Sequence, residues 1–155
     1  MIENNPLAVA DDLSIDSMFW QWAVRAKPGK IITFSSSAAY PIHLQTEFNY
    51  HPLQEHQIEF NERIGFPDMS YGWSKLTTEY LGRLAYEKYG LKSVAYRPFS
   101  GYGNDQDMSY PFPSIMERVR KTEGNIEVWG TGEQRRDFIH IDDCVDGVIQ
   151  TMDKI

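Results

Sequence analysis

The sequence predicts an α/β protein with a parallel sheet, in which long helices carry the chain back between short buried strands. Three observations lead there. Lys30 to Ser35 is a β-branched and aromatic run without polar alternation, as expected of a strand covered on both faces. A second short strand is predicted at Lys92 to Arg97. Each follows a long stretch with helical periodicity, near residues 8–26 and 70–89, and each stretch meets a stop signal, Pro28-Gly29 or Gly90.

In the first helix Ile15, Phe19, Trp22 and Ala26 form the apolar stripe, widened by Leu13, Met18 and Trp20. Trp20 and Trp22 suit a core, with a subunit contact as the second reading. Met1 to Pro6 are polar and read as a frayed end. Between Pro41 and Ser70 the chain has little periodicity, three prolines and three histidines (His43, His51, His56) without metal-site spacing. Loops of that length are functional or disordered more often than structural. In the second helix Leu76, Tyr80 and Leu84 make the stripe, with Leu81 and Ala85 beside it. Beyond it, Tyr110-Pro111-Phe112-Pro113 introduces a helix over 114–121, Ile126 to Trp129 reads as a strand, and Asp142 or Asp143 caps a last helix ending near Asp153.

Composition narrows the function. A chain of 155 residues with 41% hydrophobic and 14% aromatic side chains can build a core of ordinary size. Its formal charge of −7 argues against a nucleic-acid partner, which calls for a net basic face. The small basic clusters, Arg118 with Arg120 and Lys121, and Arg135 with Arg136, suit a phosphate-bearing small molecule better. A lone cysteine, Cys144, forms no internal disulfide, and no metal site is predicted. With neither a leader nor a membrane-length apolar run in view, the chain reads as soluble and cytoplasmic.

The chemistry gathers around Ser70-Tyr71-Gly72-Trp73-Ser74-Lys75 and the triple serine Ser35-Ser36-Ser37. Four residues apart on a helix, Tyr71 and Lys75 present a phenol and an ammonium to one site. A neighbouring positive charge favours the ionised phenol, which can then take up and return a proton. A serine hydroxyl would hold the substrate oxygen meanwhile. Tyrosine and lysine one turn apart are common on surface helices, so the pair gains meaning only from its surroundings.

Those surroundings are Ile31-Ile32-Thr33-Phe34-Ser35-Ser36-Ser37-Ala38-Ala39-Tyr40-Pro41, then Tyr71 to Lys75, then Tyr96-Arg97-Pro98-Phe99-Ser100-Gly101-Tyr102-Gly103, then Trp129 to Asp143 with Arg135-Arg136-Asp137-Phe138-Ile139-His140 inside it. In this order the series resembles the extended short-chain dehydrogenase/reductases, the NAD-dependent nucleotide-sugar epimerases and dehydratases, from about Leu7 onward. The resemblance implies part of a Rossmann-like doubly wound parallel sheet over residues 1–110, and the start of a small C-terminal substrate-binding lobe over 111–155. It further implies a catalytic trio of Ser36, Tyr71 and Lys75, where counting back from Tyr40 selects Ser36 and a shifted register would select Ser37. Tyr71 and Lys75, with Pro98 and Phe99, are implied to bind NAD around its nicotinamide. Ser37, Ser100 and Arg136 are implied to contact the nucleotide sugar, and helices 8–26 and 70–89 to build a homodimer.

Departures from the family pattern matter. Ser100 replaces a customary asparagine, leaving a hydroxyl to make that contact. Ala38 stands where GDP-mannose 3,5-epimerases carry a cysteine, and Ser37-Ala38 where dehydratases carry Asp-Glu, so C4 epimerisation through a keto-sugar is the favoured reading. The family's Gly-x-x-Gly-x-x-Gly fingerprint for the cofactor pyrophosphate is not found. On that basis the chain is expected to correspond to the middle and following part of the fold, to leave the strand at Lys30 without a neighbour, and to bind NAD weakly alone. The alternative reading is a catalytically incomplete fragment, or a nucleotide-sugar-binding or subunit-docking module.

Overall fold

The computed structural model describes residues 7–46, 51–62 and 64–155. Met1 to Pro6, expected to be frayed, lie outside the described residues. The chain forms two compact units, Met1–Pro98 with Thr151–Ile155, and Phe99–Gln150.

The first unit alternates helix and strand as expected. Helix α1 spans Ala8–Ala26 and closes on Lys27, whose left-handed backbone returns its N–H to the Ala23 carbonyl. Strand β1, Ile31–Phe34, pairs parallel with β2, Ser93–Tyr96, in the register Ile31↔Ser93 to Phe34↔Tyr96. Between them runs α2, Met69–Tyr89, closed by Gly90 at a φ of 68° that an L side chain adopts only under strain. The crossover places α1 and α2 side by side and pointing the same way. The Trp20 indole donates to the Thr78 hydroxyl at 3.1 Å, and its ring fills the space beside Gly82, where a Cβ would come within 2.9 Å of it. Trp20, Ala23, Ile31, Ala85 and Leu91 form the core beneath. A second cluster, Ala39, Tyr40, Ile58 and Leu76, with Leu53 and Phe60 packed on it, sets the residues around Tyr40 and Ile58 against α2.

Two expectations about burial need correction. Of the expected α1 stripe only Phe19 packs against the core; Ile15 and Trp22 are at least half exposed, at 65% and 50%. The face that packs carries Trp20 and Ala23, because it is the face the α2 crossover covers. Likewise β1 is not covered on both sides. Only Ile31 is buried, and Phe34 is 51% exposed, since β1 has β2 as its one neighbour among the described residues. An apolar strand end of this kind invites pairing with another chain.

In the second unit β3, Ser100–Tyr102, pairs parallel with β4, Phe138–His140. Neither short strand is evident from periodicity. Their side chains join an aromatic cluster in which Tyr102 meets Phe112 at 4.4 Å and His140 at 5.1 Å between ring centroids. Helix α3, Pro111–Lys121, starts at its first proline, where the missing N–H is no loss. The strand expected at Ile126 to Trp129 does not form. The segment is exposed, and Trp129 lies under the Arg118 guanidinium at 4.6 Å instead of pairing with a neighbouring strand. Helix α4, Ile141–Met152, is not capped by Asp142 or Asp143 as expected: both sit in its first turn. The Asp142 N–H donates to His140 Nδ1 at 3.3 Å, and the two carboxylates complement the positive end of the helix dipole.

Candidate active site

The site builds from the carboxyl ends of β1 and β2, where open parallel sheets present ligands with loops and helix starts. Leaving β1, the Ser35 N–H donates to the Tyr96 carbonyl at 2.8 Å and the Ser37 N–H to the Pro98 carbonyl at 3.3 Å, so the serine turn and the end of β2 are laced together. Ser36 then caps a short 3-10 turn, Ser37–Ala39, its hydroxyl oxygen accepting the Ala38 N–H at 3.1 Å. That contact occupies a lone pair and leaves the O–H proton to be donated elsewhere. Ser37 lies in the turn itself, half-buried.

Helix α2 docks onto this turn. The Asp68 N–H donates to the Ala38 carbonyl at 2.8 Å, and Gly72 lies so close that a Cβ there would sit 2.3 Å from the same oxygen. Glycine is therefore required by approach rather than by backbone angle. Three residues before Gly72, Met69 holds a left-handed φ of 49°, a strained conformation for a methionine and the kind that gathers at functional sites. From this docked first turn project Tyr71 and Lys75, both half-buried, with the Lys75 ammonium 5.4 Å from the centre of the Tyr71 ring.

Beneath the site Arg97 fixes the end of β2 to α2. Its Nε donates to Glu79 Oε1 at 2.8 Å and its Nη2 to Oε2 at 2.6 Å, and Nη1 reaches the Tyr40 hydroxyl and the Glu55 carbonyl. Burial opposes the guanidinium charge, but hydrogen bonds with Glu79 and Tyr40 and the adjoining charges outweigh it and hold the group above its ordinary range. The pairing is bidentate, and it ties together Arg97 and the Pro98 that follows.

Of the residues expected at the site, Ser36, Ser37, Tyr71, Lys75 and Pro98 belong to the first unit, and the hydrogen bonds above connect their segments. Phe99, Ser100 and Arg136 belong to the second. There Ser100 opens β3 and Arg136 lies exposed in the stretch leading to β4. Sequence reasoning missed Asp16. On α1, burial pushes its carboxyl up from the ordinary value, while the Lys75 charge and then the Thr78 side chain pull it down. The signal that could have found it is the helical register of α1 against α2, which no motif records. Among the described residues no cluster of side chains could hold a metal ion, and no helix is long and apolar enough to cross a membrane.

The model of the NAD dependent epimerase/dehydratase family matches residues 3–155. The chain belongs to that family. It is 34% identical over 91 residues to a dTDP-4-dehydro-6-deoxy-D-allose reductase of Streptomyces bikiniensis, covering 56% of this chain and 28% of the relative. To GDP-mannose 3,5-epimerase 1 of Oryza sativa subsp. indica it is 31% identical over 123 residues, 75% of this chain and 30% of that protein. Among solved structures, UDP-N-acetylglucosamine 4-epimerase from Methanobrevibacter ruminantium M1, in complex with UDP-N-acetylmuramic acid, matches with a TM-score of 0.77 at 25% identity, over 97% of this chain and 46% of that one. The Rossmann-like parallel α/β fold is thereby shown, and the chain spans less than half the length of these relatives.

Proposed function

We propose that this chain supplies the proton-transfer half of an NAD-dependent nucleotide-sugar C4 epimerase. The observation that carries the proposal is the docking of α2 onto the serine turn through Asp68, Gly72 and Ala38, which brings the segments of Ser36, Tyr71 and Lys75 to the ends of β1 and β2. In this reading the Tyr71 phenol takes the proton from the C4 hydroxyl of the sugar and later returns one. Ser36 donates its free O–H to the same sugar oxygen. Lys75 stabilises the phenolate and binds ribose hydroxyls of the cofactor.

The residues present fit the nicotinamide end of NAD: a half-buried phenol and ammonium in mutual contact lie at the strand ends, and the Pro98 carbonyl is laced to Ser37. Tyr71, Lys75, Pro98 and Phe99 would hold that end, and NAD, when bound, supplies the acceptor and donor of hydride at C4. Ser37, Ser100 and Arg136 would bind the nucleotide sugar, Arg136 through the planar match of a guanidinium to its diphosphate. The proposal includes a cytoplasmic location, a substrate-binding lobe beginning near residue 111, and a homodimer through α1 and α2. For the dimer, the support is the exposed Ile15, Met18 and Trp22 on one helix and Trp73 and Tyr80 on the other.

The test is to incubate the protein with NAD and UDP-N-acetylglucosamine and follow the anomeric proton of the 4-epimer by NMR. The expected result is epimer formation that falls by about 10²-fold or more in Tyr71→Phe, the scale of a lost general acid/base. Epimer formed equally by Tyr71→Phe would overturn the assignment. A second reading is a nucleotide-sugar-binding or docking module without turnover of its own; saturable sugar-nucleotide binding with no epimer would favour it.

A further inference from the structure

We propose that Arg97 is a positioning residue for the proton-transfer site: its guanidinium closes a ring of contacts that holds the serine turn in register with the face of α2 bearing Tyr71 and Lys75. The ring can be followed bond by bond. Ser37 donates its backbone N–H to the Pro98 carbonyl at 3.3 Å, and Pro98 is joined covalently to Arg97. Arg97 Nη1 donates to the Tyr40 hydroxyl at 3.4 Å, and the guanidinium carbon lies 5.0 Å from the centre of the Tyr40 ring. Tyr40 in turn donates its backbone N–H to the Ser37 carbonyl at 3.1 Å. Both backbone polar groups of Ser37 are therefore engaged inside the ring, and Ser36, the residue before it, is carried with them.

A 3-10 turn of three residues has poor hydrogen-bond geometry of its own, so its surroundings decide where it sits. The reference point outside the ring is Glu79. Its carboxylate accepts from Arg97 Nε at 2.8 Å and from Nη2 at 2.6 Å. Glu79 lies four residues after Lys75 and eight after Tyr71, on one stripe of α2. Nη1 also donates to the Glu55 carbonyl at 3.3 Å. One planar group thus joins the end of β2, the catalytic face of α2, the serine turn and the segment of Glu55. A rigid fork of five N–H donors can do this, and the point charge of a lysine ammonium cannot. Neutralising the buried Glu79 would need only the two bonds to its carboxylate; the contacts with Tyr40 and Glu55 go beyond that and lead to the turn. The consequence for catalysis rests on Ser36 and Tyr71 having the roles proposed above, but the alignment itself can be read without cofactor or turnover.

Amide hydrogen exchange, followed by NMR on the full chain, separates positioning from stability. The double variant Glu79→Leu with Arg97→Met replaces the ion pair by apolar side chains, a change that leaves stability largely intact, and removes the ring. In it the Ser37 and Tyr40 amides should exchange roughly five- to tenfold faster, the scale of one hydrogen bond's net contribution. The Ile31 amide, bonded to Lys92 at the far end of the strand pair, and the Gly90 amide, bonded to Tyr86 at the end of α2, should stay within about twofold. Arg97→Lys, which keeps the charge and loses the fork, should give the same pattern, and it serves if the double variant fails to fold. With NAD and UDP-N-acetylglucosamine, kcat should fall roughly tenfold at a nearly constant KM, because a misaligned turn weakens contacts made in the transition state. Unchanged Ser37 and Tyr40 amides, equal acceleration at all four amides, or a loss confined to KM would overturn the proposal. If the two amides respond but the unaltered protein forms no epimer, or Tyr71→Phe forms it equally well, it is the functional reading that falls, and the alignment by Arg97 stands.

Discussion

Substituting Gly72 by alanine sets two effects of similar size against each other. In a helix interior alanine is favoured over glycine by about 1 kcal/mol. Here the new Cβ would sit 2.3 Å from the Ala38 carbonyl oxygen, 2.9 Å from Pro67 Cβ and 3.1 Å from the Ala38 carbonyl carbon. None of these is the movable end of a long side chain, and the Ala38 oxygen is already engaged by the Asp68 N–H at 2.8 Å. Relief comes only by lifting the first turn of α2 off the serine turn, which gives up a hydrogen bond worth about 1 kcal/mol and adds overpacking strain of about 1–3 kcal/mol. The net expectation is a loss of about 1–3 kcal/mol in urea unfolding followed by far-ultraviolet circular dichroism. Gly147→Ala in α4 is the matched control, since nothing lies within 4 Å of a Cβ there, and it should gain about 0.5–1 kcal/mol. A Gly72→Ala protein as stable as the Gly147→Ala protein would refute the docking of α2 on the serine turn, and the site with it.

Glu79→Ala strands Arg97, whose side chain is 15% exposed, without its bidentate partner, and should cost about 3–5 kcal/mol in the same assay. The double variant Glu79→Leu with Arg97→Met should recover most of that loss, because the expense lies in the uncompensated charge; a double variant as unstable as the single one would mean the pair does more than neutralise itself. The raised carboxyl of Asp16 gives a pH signature. Because the native state keeps that proton to higher pH than the unfolded chain, the group's contribution to stability is fully present below the ordinary value of 3.8 and is lost as pH rises through the native value. Asp16→Asn should therefore be slightly more stable than the unaltered protein at pH 7, by a small margin because the group is partly exposed, and the difference should vanish near pH 4. Urea midpoints across that range check the sign, and a variant less stable at pH 7 would show that the attraction of Lys75 outweighs burial.

Much of the fold was legible because local signals and tertiary structure agree. The ends of α1 and α2 follow from Pro28-Gly29 and Gly90, and the β1–β2 strands from their apolar runs. The buried face of α1 was not legible: periodicity ranked Ile15 and Trp22 with Trp20, and only the position of α2 separates them. The packed face of α2 was legible only in part: Leu76 and Ala85 of its expected stripe are buried and Tyr80 is not, while Gly72, Ser74, Thr78, Glu79 and Gly82 are buried there too and hydropathy reads them as surface. β3 and β4 are three residues each, too short to show a period, and Ile126 to Trp129 has strand-forming residues but, among the described residues, no partner strand to pair with. At the site, motif spacing singled out Ser36, Tyr71 and Lys75. What spacing cannot carry is the set of backbone bonds through Ala38 and Pro98 that joins their segments, or the approach of Asp16 from another helix.

The central claim is that Tyr71 and Lys75 form the nicotinamide-ribose end of an NAD site, and saturation-transfer NMR with millimolar NAD tests it most directly because it detects weak binding. Saturation should reach the nicotinamide and adjoining ribose protons in the 155-residue chain, and it should disappear in Lys75→Ala while Lys88→Ala leaves it intact. Transfer to those protons that survives Lys75→Ala undiminished would contradict the account.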